Sequence, residues 1–228
     1  MASGTAISSV VPSVTVSTGQ VQRVVNWIGD AWSDVQMEHD DWTWMRSSNL
    51  LGGGASFQTI AGQASYPLGT GPGTVGVNPD DFGKWDRLAF RNYTTSIGFT
   101  NENHLDEIEY DVWRNSYMLG AMRTVRTRPV AIAIGPDQSL CLGPPPNDLY
   151  TITGDYYRSP STMVNDTDTP TGLPIQFHMI IVYRAMMKYG QYEGAQEVYA
   201  RGEEENKGMY SRLQLLRAPR ISWGGPLA

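Results

Sequence analysis

The chain has 228 residues, a formal charge of −6 from 17 basic and 23 acidic side chains, and a single cysteine. At about 150 residues per domain, it is one domain with a large insertion or two small domains, and long enough to bury a core without a metal or disulfide staple. Cys141 alone cannot form an internal bridge, which points to a reducing compartment, and the acid excess argues against a DNA-coating protein with a net basic face.

The first residues, MASGTAISSVVPSVTVSTGQ, lack the basic start and long apolar run of a signal peptide. No apolar stretch reaches the roughly 18 residues that a membrane span needs. Residues 1–16 are rich in Ser, Thr and Val without a helical period and read as an extended or disordered arm. Ser17 or Thr18 is placed to cap a helix. Val21, Val24, Val25, Ile28, Trp32 and Val35 then recur every three to four residues, predicting an amphipathic helix to about Arg46.

From Leu50 the character changes. Glycines and prolines separate short β-type runs, predicting strands near Phe57–Ile60, Ala64–Pro67 and Trp85–Arg91, and later near Val130–Ile134, Leu140–Leu142 and Tyr150–Tyr157. Between the two groups, Leu105, Ile108, Val112 and Tyr117 predict a shorter helix. Residues 159–172 form a polar loop. A third helix follows Pro174 and stops at Gly190, and a fourth starts near Gln191, carrying Ala195, Tyr199, Gly202 and Leu213 on one stripe. The tail RAPRISWGGPLA reads as extended.

The fold class that follows is α+β: a helical bundle of long N- and C-terminal helices with an inserted mostly-β domain and extended terminal arms. Its parts are an arm at 1–16, a bundle from 17–50 and 173–216, a β-rich insertion with one helix at 51–172, and a tail at 217–228.

Several groups invite a chemical role. Glu38-His39-Asp40-Asp41 is the densest ionisable cluster, but consecutive helical residues point about 100° apart and cannot converge on one ion without a second element. His104 and His178 lack partners at metal-binding spacing. Asp106, Glu107, Glu109 and Asp111 offer carboxylates for a glycan hydrolase, with Asp40 as a further candidate, and read more simply as the acidic first turns of a helix. Gly71-Pro72-Gly73-Thr74-Val75-Gly76 fits a dinucleotide-loop pattern in letters only, because no helix follows it. Asn165-Asp166-Thr167-Asp168-Thr169 lacks the glycine and closing glutamate of a calcium loop. Cys141 sits in a strand-like run without a basic neighbour. No catalytic, cofactor-binding or metal-binding residue is therefore assigned.

Charge placement says more. After Glu205 no acid remains, whereas Lys207, Arg212, Arg217 and Arg220 do. A basic tail with Ile221, Trp223, Pro226 and Leu227 has the makings of a docking segment. Arg114, Arg123, Arg126 and Arg128 form a second basic group, suited to a neighbouring subunit or to DNA phosphate. Tyr192, Ala195, Tyr199 and Gly202 are candidates for an inter-subunit helix face.

The order VNWIGDAWSDVQMEHDDWTWMR, FQTIAGQASYPLG, FGKWDRLAFRN, IEYDVWRNSY, LCLGPPPNDLYTITGDYYRSP and the long run from DTDTPTG to YSRL resembles the head-to-tail adaptor (connector) proteins of tailed bacteriophages, over residues 20–216. The resemblance implies a non-enzymatic virion part assembled in the host cytoplasm. It implies a homo-oligomeric ring, usually of twelve subunits, beneath the portal protein. It implies that viral DNA passes through the lumen without sequence-specific binding and that a tail nozzle or stopper protein attaches below. It also implies that the C-terminal tail docks on the portal. The rival readings are a nucleic-acid-binding protein using the arginines at 123, 126 and 128, and a carboxylate-dependent glycan hydrolase.

Overall fold

A computed structural model describes residues 18–217. The protein is mixed α+β. Its described residues form four helices, α1 (Gly19–Met37), α2 (Tyr110–Tyr117), α3 (Met179–Glu193) and α4 (Gln196–Arg217). Eleven short strands accompany them: β1 (Arg46–Ser47), β2 (Ala55–Gln58), β3 (Ser65–Tyr66), β4 (Phe82–Trp85), β5 (Arg91–Thr94), β6 (Asn103–His104), β7 (Asp106–Glu107), β8 (Ala131–Ile134), β9 (Leu140–Gly143), β10 (Tyr150–Gly154) and β11 (Tyr156–Arg158). Two compact units result, one from Met1–Trp44 with Pro160–Ala228, the other from Met45–Ser159. Among the described residues, no helix is long and apolar enough to cross a membrane.

In the first unit, α3 lies between α1 and α4. Thr18 occupies the N-cap position of α1, without a side-chain capping bond. The helix ends at Met37, one residue after the buried Gln36 and well before Arg46. Tertiary bonding ends it: the chain folds back so that the Trp42 indole N–H donates to the Val35 carbonyl at 2.9 Å, one of the last-turn acceptors an α-helix leaves open. The Trp42 ring stacks on Trp44 with centroids 4.2 Å apart. Ion pairs Lys188–Asp34 and Arg184–Glu38 link α3 to α1, and Trp27 lies against Tyr189 and Tyr192.

The α3–α4 hairpin corrects the predicted break at Gly190. Gly190 sits inside α3, where a Cβ would stand 2.8 Å from the Tyr199 backbone nitrogen. On α4, a Cβ at Gly202 would stand 2.9 Å from the Tyr183 carbonyl. Both glycines let two backbones approach closely. The turn is made by Gly194, whose φ of 67° is the left-handed C-cap conformation.

The second unit holds three small sheets. Their strand orders are β1-β11-β4, β2-β10-β5-β6 and β3-β9-β8-β7. All pairings are antiparallel except β7 with β8. The core is built from Tyr66, Phe90, Leu105, Ile132, Leu140, Leu142 and Ile152, each fully buried, with an aromatic group of Phe82, Trp85 and Tyr156. β2 shows the alternating burial of a half-covered strand. β9 and β10 are buried at every position, which is why LCLG and YTITG read as unbroken runs.

Two predicted elements differ. The run Trp85–Arg91 is two strand ends flanking a turn, in which the Ala89 N–H donates to the Asp86 carbonyl and the Leu88 N–H to its carboxylate. The helix predicted from Leu105 begins only at Tyr110. Leu105 is buried in the sheet core, and Asp106 and Glu107 form β7 beside β8. Four apolar residues at helical spacing could not reveal this, because the partner strand lies 25 residues downstream.

Helix α2 covers β8 and β9 through Trp113, whose indole donates to the Leu142 carbonyl at 3.0 Å. Beneath it, Cys141 is 2% exposed. Burial pushes its thiol pKa up, with hydrogen bonds to Ser65 and Ser139 pulling the other way. The native chain at pH 8 is therefore expected to resist a thiol reagent that labels the urea-unfolded chain at once; equal labelling rates in the two states would show that Cys141 is not enclosed.

Candidate functional site

Several of the groups that invited catalysis have structural partners. Asp106 and Glu107 alternate across β7, and Glu107 pairs with Arg87 at 2.9 Å. Glu109 is the N-cap residue of α2, and Asp111 alone lies in its first turn. At the end of α1, Glu38 pairs with Arg184, while His39 meets the Trp42 ring edge and lies 3.2 Å from the Gln214 amide nitrogen. His104 and His178 each bond a backbone carbonyl, of Leu88 and Leu173. The Asp168 carboxylate accepts the backbone N–H groups of Val164 and Asn165, which hold its pKa below the usual range and turn it toward its own loop. The glycine-rich loop is closed by Thr74, whose hydroxyl bonds the Gly69 and Gly71 carbonyls, and Val75 and Val77 plug it into the core. Among the described residues, no three His, Cys, Asp or Glu side chains are grouped to hold a metal ion.

What the surface does offer is exposed apolar area. In the β unit a cleft of about 790 Å³ opens among β1, β5 and the end of β10. Its rim carries Leu50, Leu51, Leu88 and Phe99, between 70% and 89% exposed. Monomeric proteins seldom leave such residues grouped in solvent. The floor is ionic. Asp155, a buried residue, accepts from the Arg46 guanidinium at 2.9 Å and from the Asn49 backbone at 3.0 Å, and Asp86 reaches Arg46 at 2.8 Å. Partial burial works against the charge on Arg46, yet the two carboxylates outweigh it and raise its pKa. Arg91 and Glu102 pair across one wall at 3.5 Å.

The helical unit carries two further apolar surfaces. One is a groove of about 240 Å³ between α1 and α3, lined by Trp27, Ile28, Val182 and Tyr189 among others. The second, of about 490 Å³, lies at the end of α4, where Leu215 and Leu216 are exposed beside Phe177 and Met209.

The four arginines grouped by sequence divide. Arg114, Arg123 and Arg126 are exposed, Arg123 folding back on the Met118 carbonyl and Arg126 lying over Gly62. Arg128 is different. Its guanidinium bonds the Asn92 side chain at 2.6 Å, the Asn92 carbonyl at 3.0 Å and the Asn101 carbonyl at 2.6 Å, and it lies over the Tyr150 ring. It is a structural clamp, not part of an open patch. Of the helix-face residues, Tyr192 is exposed near the end of α3 and Ala195 half-buried in the turn, while Tyr199 and Gly202 face α3 of the same chain. Of the tail residues, Arg217 is the last of α4, its carbonyl accepting from the Thr43 N–H and hydroxyl. Arg220, Ile221, Trp223, Pro226 and Leu227 lie outside the described residues.

Sequence reasoning missed the cleft because its residues come from four separated segments. The signal that could have found it is the run Asn49-Leu50-Leu51 before three glycines, an apolar pair in a loop with no amphipathic context.

No curated protein matches the chain. The family model described as SU10 adaptor protein matches residues 5–228, nearly the whole sequence and both compact units. Adaptors of this kind are structural parts of the bacteriophage virion, in keeping with a surface equipped for contact. The chain belongs to the SU10 adaptor protein family.

Proposed function

We propose that the protein is a head-to-tail adaptor that assembles as a ring, twelve copies by resemblance, beneath the portal protein. There it extends the DNA channel and offers the platform on which the tail nozzle or stopper attaches. The helices from the two chain ends act as a bundle into which the mostly-β domain is inserted, and the bundle and β domain supply lateral faces. The family match over residues 5–228 carries this reading. The apolar side chains left in solvent on both units support it, since a subunit that ends in a closed ring must carry surfaces for its neighbours. The acid excess suits a channel through which DNA slides, because phosphate affinity rises with basic contacts.

The reading is tested by mixing the full chain with its cognate portal and imaging by electron microscopy. A ring of added density on the portal is expected; a chain that never associates with the portal at any concentration tried would sink the idea. Removing residues 218–228 is expected to abolish docking while leaving the helical circular dichroism unchanged. Undiminished docking by the shortened chain would show that the tail is not the portal contact.

A further inference from the structure

Every buried residue of α1 lies in its second half. Ala31, Trp32, Val35 and Gln36 are enclosed, whereas Val21, Val24, Val25, Trp27 and Ile28 in the first half keep part of their surface in solvent. The apolar stripe is continuous in sequence but loses its cover toward the N-terminus, where it borders the groove of about 240 Å³ between α1 and α3. Val24, Trp27 and Ile28 line this groove from α1, and Val182 and Met186 line it from α3. No charged residue lines it, unlike the cleft of the β unit and the hollow at the end of α4. Apolar surface of this kind is stabilised by whatever removes it from water.

The chain itself holds a matching segment. Residues 1–17 lie outside the described residues and lead directly into α1. No side chain before Arg23 is charged. Within this arm Val10, Pro12, Val14 and Val16 alternate with Ser9, Ser13, Thr15 and Ser17, and only Val11 breaks the alternation. A period of two gives an extended chain one apolar face. Pro12 has no N–H to satisfy, which suits a strand laid on helices better than one paired in a sheet. Reach fits as well. Val24 and Ile28 lie six and ten residues beyond Thr18, about 9–15 Å along the helix. A chain turning back at Thr18 and running extended covers that span in about three to five residues, which brings Val14 level with the groove.

We propose that the N-terminal arm folds back over its own subunit, seating the Val10–Val16 face in the α1–α3 groove and completing the cover of α1. The contact lies within one chain and does not depend on the ring reading above. The subunit's own arm is favoured over that of a second copy because a short tether holds it at an effective concentration of about 1 mM, far above that of free copies at micromolar protein. The C-terminal tail suits the groove less well, because it carries Arg220 beside Ile221 and would bring a charge to a site that offers it no partner.

The test uses the full-length chain at micromolar concentration, with Val14→Cys paired with Met186→Cys in the groove or, as a control, with Asn26→Cys on the exposed side of α1. Cys141 is buried and stays silent. On mild oxidation the 14–186 pair is expected to close into a disulfide within one chain about tenfold faster than the 14–26 pair, although the tether to Asn26 is as short as that to the groove. Closure is read as loss of both free thiols without a change in oligomeric mass. Equal rates for the two pairs would show an arm without preference for the groove and overturn the proposal. Covalent dimers in place of closed monomers would make a second copy's arm the occupant and overturn it too. Independently, deleting residues 2–16 is expected to raise the fluorescence of an added apolar dye about threefold by uncovering the groove, and Val14→Asp to do the same in part. Dye binding unchanged by the deletion would mean that the arm covers nothing.

Discussion

Trp42→Ala is expected to destabilise the helical unit by about 3–5 kcal/mol, the range for removing a large buried aromatic side chain. Two separate physical losses contribute. Trp42 is fully buried and stacked on Trp44, so truncation leaves a void that rigid neighbours cannot fill. Its indole N–H also satisfies the Val35 carbonyl in the last turn of α1, an acceptor that would otherwise be left without a helical donor. Trp42→Phe separates the two, keeping most of the ring and losing the hydrogen bond, and its expected cost is only about 1 kcal/mol for the bond plus a small packing loss. The measurement is the urea midpoint followed at 222 nm. A midpoint for Trp42→Ala within error of the parent would mean that the fold-back after Met37 contributes nothing to stability.

Arg128→Ala is expected to cost on the order of 3 kcal/mol, since hydrogen bonds made by a charged donor are worth about 1.5–3 kcal/mol each when their acceptors cannot turn to water. The Asn92 side chain is fully buried and also donates to the Pro129 carbonyl at 2.5 Å, so it cannot rotate to find another partner for its oxygen. Arg128→Lys should recover less than half the loss. One ammonium cannot reproduce a planar fork that bonds Asn92 twice while also reaching Asn101. The same variant separates a structural arginine from a DNA-binding one. A clamp lowers the unfolding midpoint and leaves the salt dependence of any DNA binding unchanged, whereas a phosphate contact does the reverse. An unchanged midpoint with a flattened salt slope would return Arg128 to the basic surface.

These two residues mark where sequence reading stops. The three-to-four spacing from Val21 to Val35 gives α1 because one side of a helix must be apolar to be buried, a requirement that acts within a few residues. The same reading overran the end of the helix, because the group that stops it is a tryptophan five residues past Met37 whose indole acts through space. Gly190 and Gly194 make the contrast sharper. Both fit a helix stop in sequence, yet one is a left-handed cap and the other a point of backbone approach to Tyr199. Only the position of α4 tells them apart.

By itself, then, the sequence determined the long helices, the β character of the middle of the chain, and the absence of the spacings that metal or nucleotide chemistry needs. The order of its motifs also carried the likeness to phage adaptors. The tertiary structure decided what those elements face. It placed Leu105 in a sheet core, turned Arg128 from a surface charge into a clamp, and gathered Leu50, Leu88 and Phe99 into one cleft. Periodicity records the need of each segment to bury a face, whereas a contact between segments depends on where the whole chain brings them, and that is written in no single stretch of it.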